Sequence, residues 1–428
     1  MRVLLERFER YAVDVILERR EGGRANALKV LLGFFSLAYT RAVQARLALY
    51  RRRFIRPQEL GCTVVSIGNL TVGGTGKTPV AEMLARELHQ RGRRVAILSR
   101  GYKSVPRPFA QRLHQRLFRQ ADLFPPRIVS DGRQVLLDSR RAGDEPHMLA
   151  KNLPGVCVLV DKDRVKSGRH ALQHFDSDIL LLDDGLQYQR LRHRLDIVLI
   201  DQQAPFGNER LLPRGTLREP PANLRRASYI IVTKSGPEPD HDLLARLRRL
   251  NRTAAIIECT HGARYWQDIE TGQRLPLDHL KGRHVGAMSG IARPESFEEG
   301  VRALGAIVEI TKSFADHHRF TKKEILRFLE WCDRRSLDAL VTTEKDAVRF
   351  PEIDKPAVPM LFLRVEIDIL RGRAHWEELL ARLAGDPLKT ADAKRNAAAP
   401  LLSLPSTAPQ AARPGPPPAP GSKSRRTK

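Results

Sequence analysis

The sequence predicts an α/β fold in which a mostly parallel β-sheet is flanked by helices. One observation is that, from Thr63 onwards, near-continuous apolar runs alternate with helical or loop segments, as expected for strands buried on both faces. The other is a glycine-rich stretch that joins the first run to a helical pattern. The runs lie at residues 64–67, 95–98, 156–160, 179–182, 197–200, 229–232, 255–257, 284–288, 307–310, 340–342 and 360–365.

The glycine-rich stretch has the strand, loop and helix context of a phosphate-binding P-loop, so the predicted fold is of the P-loop NTPase type. Backbone N–H groups of such a loop surround phosphate oxygens, and the helix N-terminus adds partial positive charge. We expect Lys77 to reach the β- and γ-phosphates of a nucleotide and the Thr78 hydroxyl to bind magnesium. The strict P-loop pattern has glycine at the position that Thr71 occupies here. An ordinary glycine-rich turn is therefore the alternative. The stretch reads Thr71, Val72, Gly73, Gly74, Thr75, Gly76, Lys77 and Thr78.

The composition predicts an anionic partner. The chain of 428 residues has 74 basic and 49 acidic residues, which gives a net charge of +25. Nucleic acid, an acidic membrane surface and a phosphorylated substrate all fit that charge. No nucleic acid is expected, because aromatic residues make up only 6% of the chain and no nucleic-acid-binding module is recognisable.

The cysteines and the N-terminus indicate a protein of the reducing cytoplasm. Cys62, Cys157, Cys259 and Cys332 are widely scattered without metal-ligand spacing, so buried free thiols are expected. No secretory signal is predicted, because acidic residues interrupt the N-terminal apolar pattern.

Two N-terminal segments are predicted to be helical. Residues 1–19 have apolar side chains at helical spacing with charged residues between them. The ten-residue apolar run 30–39 is too short to span a bilayer, which needs about 20 apolar residues. Because arginines follow it at Arg41, Arg46 and 51–53, it can lie in a membrane interface. The alternative is a helix packed on the globular core.

The pattern divides the chain into four parts. Residues 1–55 hold the amphipathic helices, 56–265 a P-loop core and 266–386 a smaller C-terminal α/β domain. Residues 387–428 are rich in alanine, proline, lysine and arginine, and are predicted to be a disordered tail. Residues 104–126, with four prolines, are predicted to be an insertion.

Two acidic pairs are candidate magnesium-side or catalytic groups. Asp183 and Asp184 end an apolar strand, where P-loop proteins place an aspartate that helps to hold magnesium, although Asp-Gly is also common in turns. Asp144 and Glu145 follow a loop glycine, and one acid could bind metal while the other acts as a base. The alternative for this second pair is a plain helix N-terminus.

Several polar residues follow other predicted strands. Arg100 lies just past a strand end, where ligands of α/β proteins bind, or else is a solvated loop residue. The loop 206–220 is rigid and cationic, with arginines suited to phosphate or a phosphorylated lipid, and it contains Asn208 and Arg214. His317 lies beside Asp316 and either supports a carboxylate or belongs to an exposed helix N-terminus. The segment 343–346 is similar in character.

A guanine-binding function is not predicted. The tetrapeptide Thr233, Lys234, Ser235, Gly236 has glycine where guanine readers have aspartate, and the segment 343–346 has the wrong spacing. ATP is therefore the predicted nucleotide.

The ordered series of motifs resembles the tetraacyldisaccharide 4'-kinase family, the lipid A 4'-kinases of Gram-negative bacteria, over about residues 25–385. The motifs are the glycine-rich stretch from Ser66 to Pro79, the segments 99–102, 143–146, 183–187 and 206–220, and then 314–318 and 343–346. Tyr188 departs from the family, which commonly has histidine there.

The resemblance implies a kinase that transfers the γ-phosphoryl group of ATP, with Mg²⁺, to the 4'-hydroxyl of a tetraacylated glucosamine disaccharide 1-phosphate. The product would be lipid IVA. The enzyme would work as a peripheral protein at the cytoplasmic face of the inner membrane, with the N-terminal helices on the membrane surface.

The resemblance also implies roles for individual residues. Lys77 and Thr78 would hold the phosphates and magnesium, and Asp144 would be the catalytic base paired with His317. The metal-side carboxylates would be Glu145, Asp183 and Asp184, and the arginines that face phosphates would be Arg100 and Arg214.

Two other functions fit parts of the sequence. A P-loop switch ATPase that binds DNA or membrane without a lipid substrate would suit the basic charge. A kinase of a small metabolite would suit the P-loop, but it gives no reason for the apolar N-terminal helices. No oligomeric state is predicted.

Overall fold

The computed structural model describes residues 11–102, 104–106 and 124–385. All of these residues belong to one compact unit, Met1–Ala397. The first part of the predicted N-terminal helix, most of the predicted insertion and the predicted tail lie outside the described residues.

A single sheet of 13 strands organises the described part of the chain. The strands are β1 (Thr63–Asn69), β2 (Val95–Ser99), β3 (Arg127–Asp131), β4 (Cys157–Val160), β5 (Ile179–Asp183), β6 (Leu195–Asp201), β7 (Tyr229–Thr233), β8 (Ala255–Asp268), β9 (Arg274–Leu275), β10 (His284–Ser289), β11 (Ile307–Ser313), β12 (Ala339–Thr343) and β13 (Met360–Arg371). The strand order is β11-β10-β12-β13-β8-β7-β6-β1-β5-β2-β4-β3, with β9 paired to β8. Among the strands of the described residues, only the pairs β8–β13, β3–β4 and β8–β9 are antiparallel, which confirms the predicted mostly parallel sheet.

Helices cover both faces of this sheet. Besides helical residues 11–16, the α-helices are Gly23–Arg51, Lys77–Gln90, Ser139–Ala142, Asp144–Asn152, Arg164–Phe175, His241–Leu250, Pro294–Ala303, Lys322–Arg334, Glu344–Ala347 and Arg373–Ala384. Successive side chains of β1 enter different clusters, because strand side chains alternate between faces. Val65 and Ile67 pack with the helices Lys77–Gln90 and Arg373–Ala384, whereas Val64 packs in a cluster on the opposite face.

The long antiparallel pair of β8 and β13 joins the strands of the predicted P-loop core to those of the predicted C-terminal domain. Separate apolar clusters fill the region around β10 to β12. The predicted boundary at residues 265 and 266 falls inside β8, and Trp376 of the last helix is buried in the cluster of the P-loop helix. The division into two domains stays a prediction.

The helix Gly23–Arg51 packs on the loop 206–220. The Ser36 hydroxyl donates to the Leu211 carbonyl at 2.9 Å, and the Tyr39 hydroxyl donates to the Arg218 carbonyl at 3.1 Å. Other apolar side chains of this helix remain exposed, including Val30 and Phe34. Among the described residues, no helix has the length and apolarity that crossing a membrane requires.

The cysteines are free thiols, as predicted. Three are buried and Cys62 is half-buried. Burial raises the pKa of the Cys157 thiol to about 11 and that of Cys259 to about 12.

Candidate active site

The glycine-rich stretch connects β1 to the helix Lys77–Gln90, as a P-loop does. Gly76 caps the helix in a left-handed conformation with φ of 75°, which side chains other than glycine rarely adopt. A Cβ atom at Gly76 would also lie 3.2 Å from the imidazole ring of His261 on β8. Both conditions favour glycine at this position.

Residues at the end of β7 brace the P-loop. The Thr233 hydroxyl donates to the Thr75 carbonyl at 3.0 Å, and Lys234 Nζ donates to the Gly74 carbonyl at the same distance. The Lys234 ammonium is also paired with Asp201 of β6. The tetrapeptide 233–236, which does not match a guanine-binding motif, therefore supports the P-loop. The sequence analysis missed this role.

Lys77 and Asp184 meet between β1 and β5, two neighbouring strands of the sheet. Lys77 Nζ donates to Asn69 Oδ1 at 3.2 Å and lies 3.8 Å from Asp184 Oδ1. Arg218 Nη1 donates to both oxygens of Asp184 at 2.8 Å. Burial opposes the charge on Asp184, but Lys77 and Arg218 hold the pKa of this carboxyl below its usual range.

Asp183 is a buried carboxyl with spare ligand capacity. Its Oδ2 accepts from the Ser99 hydroxyl at 3.0 Å, whereas its buried Oδ1 has no hydrogen-bond partner among the described residues. Burial, then the nearby charges of Glu145 and Asp184, raise the pKa of Asp183 to about 6. Such an accumulation of negative charge beside an orphaned oxygen suits a bound cation.

These carboxylates fit magnesium bound together with a nucleotide. No three Asp, Glu, His or Cys side chains converge as a preformed metal cage in the described part of the chain. Mg²⁺ does not need one, because it usually binds one or two carboxylates, several waters and the phosphates of its substrate. The roles of Asp183, Asp184 and Thr78 as magnesium ligands stay predictions.

Asp144 begins the helix Asp144–Asn152 and is held by three cationic or donor groups. Its Oδ2 accepts from Arg349 Nε at 2.8 Å and from His317 Nδ1 at 3.2 Å. Arg319 Nη2 lies 2.9 Å from Oδ1. Burial opposes ionisation, but His317, Arg349 and Arg319 together lower the pKa of Asp144, so the carboxylate is charged at neutral pH.

His317 is oriented from both sides of its ring. Its Nδ1 faces Asp144, and Lys345 Nζ lies 3.4 Å from its Nε2. Since a carboxylate can only accept, Nδ1 carries the proton that is donated to Asp144. Arg349 Nη2 also lies 3.4 Å from Nδ1, and Asp316 Oδ2 lies 3.8 Å from Nε2. Lys345 also lies 3.9 Å from Glu145 Oε1, which connects the segment 343–346 to the Asp144–Glu145 pair. The structure thus joins three motifs that are far apart in sequence.

Arg164 is a further cation at this site that the sequence analysis did not single out. The side chain is buried and stacks on Tyr188, with its guanidinium carbon 5.2 Å from the ring centroid. Burial lowers the pKa of Arg164, and the nearest opposing influence is the charge of Asp183. Arg100 is exposed and close enough to Arg164 for its charge to lower the pKa of Arg164 further, and its predicted role toward phosphate stays a prediction.

Asn208 and Arg214 shape the loop 206–220 and contact the N-terminal segment. The Asn208 amide donates to the carbonyl oxygens of Ile16 at 2.9 Å and Arg214 at 3.3 Å. Arg214 Nη2 pairs with Glu18 Oε1 at 2.9 Å. These contacts do not join the two residues to the Asp183 and Asp184 cluster, and their predicted role toward substrate stays a prediction.

The sequence analysis missed four basic residues of the site: Arg164, Arg218, Arg319 and Arg349. None belongs to a spacing pattern that indicates a ligand. Arg218 lies in the cationic loop 206–220, and Arg319 directly follows the histidine pair, so those two were within motifs that the sequence does offer.

Known proteins resemble this chain over most of its length. The family described as tetraacyldisaccharide-1-P 4'-kinase matches residues 28–384. The tetraacyldisaccharide 4'-kinase of Anaeromyxobacter dehalogenans (strain 2CP-C) is 42% identical over 348 residues, which are 79% of this chain and 86% of that protein. The protein of the same name from Halothermothrix orenii is 34% identical over 364 residues, 82% of this chain and 90% of its own length.

A solved structure agrees with these sequence relatives. The crystal structure of the "apo" form of LpxK from Aquifex aeolicus in complex with ATP is 28% identical, with a TM-score of 0.64. The similarity covers 83% of this chain and 99% of that chain. The family match from residue 28 to residue 384, the sequence relatives and this structure together show that the chain belongs to the tetraacyldisaccharide-1-P 4'-kinase family.

Proposed function

We propose that this protein transfers the γ-phosphoryl group of ATP to the 4'-hydroxyl of tetraacyldisaccharide 1-phosphate and thereby forms lipid IVA. One observation carries the proposal: charged groups run without a break from the P-loop to the candidate base. Lys77 lies 3.8 Å from Asp184, and Asp183 is close enough to Glu145 for the second carboxylate to raise the pKa of the first. Glu145 is adjacent to Asp144, so phosphate and base belong to one site.

Asp144 is the proposed general base. The pKa of a sugar hydroxyl lies far above neutral pH, so its proton needs an acceptor as the new bond forms. The Asp144 carboxylate is ionised, and the Nδ1–H of His317 donates to it and restricts its orientation. Lys345 Nζ lies 3.4 Å from the other ring nitrogen, Nε2.

The remaining groups align the phosphates and balance their charge. Lys77 would bind the β- and γ-phosphates, Arg164 and Arg218 interact with the same carboxylates, and Arg100 would face phosphate from beside Arg164. Magnesium, held by Asp183, Asp184 and Thr78 with Glu145 beside them, would neutralise phosphate charge. In phosphoryl transfer, positioning and electrostatic stabilisation account for most of the catalysis. These residues supply the kinds of group that both effects need.

The N-terminal helix is proposed to bind the cytoplasmic face of the inner membrane and the acyl chains of the substrate. Phe34 is 71% exposed and Val30 is 74% exposed, although both are large apolar side chains. Exposed arginines follow on the same helix at Arg41 and Arg46. An apolar face next to arginines suits the boundary between acyl chains and anionic headgroups.

The loop 206–220 is the proposed link between this helix and the phosphates. Asn208 and Arg214 hold it against the N-terminal segment, while Arg218 at its other end contacts Asp184. A substrate with its acyl chains on the helix would then present its sugar to the catalytic carboxylate. Asn208 and Arg214 act in this proposal as groups that shape the groove.

Transfer of label from [γ-³²P]ATP to an extractable lipid tests the proposal. The wild-type protein, with magnesium and the acylated disaccharide 1-phosphate in mixed micelles, is expected to label the lipid. Lys77→Ala should lose this activity by about 100-fold or more, because a charge that stabilises the transferred group is gone. A switch ATPase would release labelled inorganic phosphate and leave the lipid unlabelled, and that result would exclude the proposed function.

A further inference from the structure

Arg349 is a wholly buried arginine at the back of the candidate site. Its side chain is 0% exposed, and it follows the short helix Glu344–Ala347. Nε donates to Asp144 Oδ2 at 2.8 Å, whereas Nη1 donates to Asp346 Oδ1 at 2.9 Å and to the Gly290 carbonyl at 3.2 Å. One guanidinium therefore joins the helix of Asp144 to the strand ends of β10 and β12.

Asp346 is itself fixed in place. Its Oδ2 accepts from the Thr343 hydroxyl at 2.7 Å and from the Gly290 backbone N–H at 3.0 Å. The side chain is 0% exposed, so no water competes for these bonds. Arg349 is consequently anchored on one edge by a carboxylate that cannot swing away.

The contacts divide the two oxygens of Asp144 between different tasks. Arg349 and His317 both donate to Oδ2, so this oxygen is committed to protein donors. Oδ1 is buried and has no hydrogen bond among the described residues, with Arg319 Nη2 2.9 Å away, so it is the oxygen left for a substrate hydroxyl that displaces Arg319. Rotation of a carboxylate about its terminal bond is soft, so an unsupported Asp144 would exchange its two oxygens.

We propose that Arg349, anchored by Asp346, is a positioning residue that holds the Asp144 carboxylate with Oδ1 toward the sugar hydroxyl. The planar fork of arginine suits this task, because three acceptors at fixed angles need three N–H donors from one rigid group. A lysine would supply charge without that geometry. The inference rests on the proposed function, since it gives Asp144 the role of base.

Steady-state kinetics of lipid phosphorylation in Arg349→Met, Arg349→Lys and Asp346→Asn test it. In both Arg349 variants we expect kcat to fall by about 10- to 100-fold with KM for ATP and lipid nearly unchanged, because a misplaced group costs turnover rather than binding. Asp346→Asn should show a smaller fall in the same parameter. Arg93→Met is the matched control, because Arg93 is a buried arginine paired with Asp178 just before β2 and β5 begin.

The decisive comparison repeats Arg349→Met in an Asp144→Asn background. If Arg349 acts through the Asp144 carboxylate, the double variant should have the same residual kcat as Asp144→Asn alone. Folding is checked by thermal unfolding, in which Arg93→Met and Arg349→Met are both expected to lose stability. In the kinetic assay Arg93→Met should keep wild-type kcat. An Arg349→Met protein that is folded and has wild-type kcat, or one that lowers kcat equally in both backgrounds, would overturn the inference. Absence of lipid phosphorylation in the wild type would instead refute the proposed function.

Discussion

Asp144 combines two properties that a base in a phosphate-rich site needs. Three donors lower its pKa, so the group is ionised at neutral pH despite its burial. The same donors fix its direction, and they come from segments of the chain that are more than 170 residues further on. Low basicity is acceptable here, because alignment and charge neutralisation carry most of the work in phosphoryl transfer.

Asp144→Asn is expected to lower kcat by about 10²- to 10⁴-fold, the usual contribution of a positioned base. The amide keeps one oxygen for Arg349 and His317 but cannot take the hydroxyl proton. KM for ATP should stay close to the wild-type value, because Lys77 and the P-loop are untouched. Initial rates at saturating lipid measure this effect, and a kcat near that of the wild type would remove Asp144 from the role of base.

Individual site residues differed in how far the sequence could identify them. Lys77, Asp144 and Asp184 lie in local patterns whose chemistry is readable without a structure. Arg349 has no such pattern, because its function depends on a contact across 205 residues of chain. Asn208 and Arg214 lie in an informative loop, yet the direction of their side chains depends on the N-terminal segment that packs against it.

At the scale of elements, the P-loop depends on one backbone conformation and on its supports from β7. Gly76 is left-handed at the start of the helix Lys77–Gln90, and the carbonyls just before it accept from Thr233 and Lys234. Because these two carbonyls accept from β7 residues, we expect the N–H groups of the loop to be the ones that face a bound phosphate.

Gly76→Ala should weaken ATP binding by more than its effect on folding explains. The left-handed conformation costs an alanine about 1 kcal/mol, and the new methyl group would also crowd His261. Gly92→Ala is the matched control, because Gly92 has a similar φ of 80° with no atom within 4 Å of its added Cβ. Isothermal titration with ATP and thermal unfolding of both variants measure the difference. Equal ATP affinity in the two variants would contradict this account of the P-loop.

Replacing an exposed apolar side chain of the N-terminal helix should affect membrane binding without affecting folding. Phe34→Glu removes a side chain that is 71% exposed, and it adds a negative charge where anionic headgroups are proposed. We expect less protein to sediment with vesicles of anionic phospholipid, and an unchanged unfolding temperature. Trp331→Glu, on the helix Lys322–Arg334 and 42% exposed, is the control and should bind vesicles like the wild type. Equal vesicle binding by both variants would refute the membrane role of this helix.

Strands and helices were predictable from the sequence where their burial requires apolar residues. Strands such as β1 and β5 are buried along their whole length, so their apolar runs stand out in the sequence. The edge strand β3 and the two-residue β9 were not predicted, because their residues are partly exposed and polar. The helix Gly23–Arg51 is longer than the ten-residue apolar run within it. Its second half mixes packed and exposed side chains, so it has no continuous apolar run.

At the scale of the whole molecule, one sheet carries both the nucleotide loop and the groups that orient the base. Lys77 and Asp184 follow β1 and β5, whereas Gly290 and Asp346, which contact Arg349, follow β10 and β12. β8 and β13 form the antiparallel connection between these two groups of strands. Any movement of one group relative to the other would change the distance between Asp144 and its donors.

The class of fold and the family were predictable from the sequence, because ordered motifs carry information that single motifs lack. The family match and the solved relative confirm both. The joining of the two groups of strands into one sheet was not predictable, since an antiparallel pairing between residues about 100 apart has no local signal. The net charge of +25 indicated an anionic partner but could not identify it.

The central claim is that this protein phosphorylates the 4'-hydroxyl of an acylated disaccharide 1-phosphate. The most direct measurement is ³¹P–¹H correlation NMR of the purified lipid product after reaction with ATP and magnesium. The account predicts a new phosphate monoester coupled to the proton at carbon 4', beside the original phosphate at carbon 1. A product with phosphate at another carbon, or unchanged lipid, would contradict it.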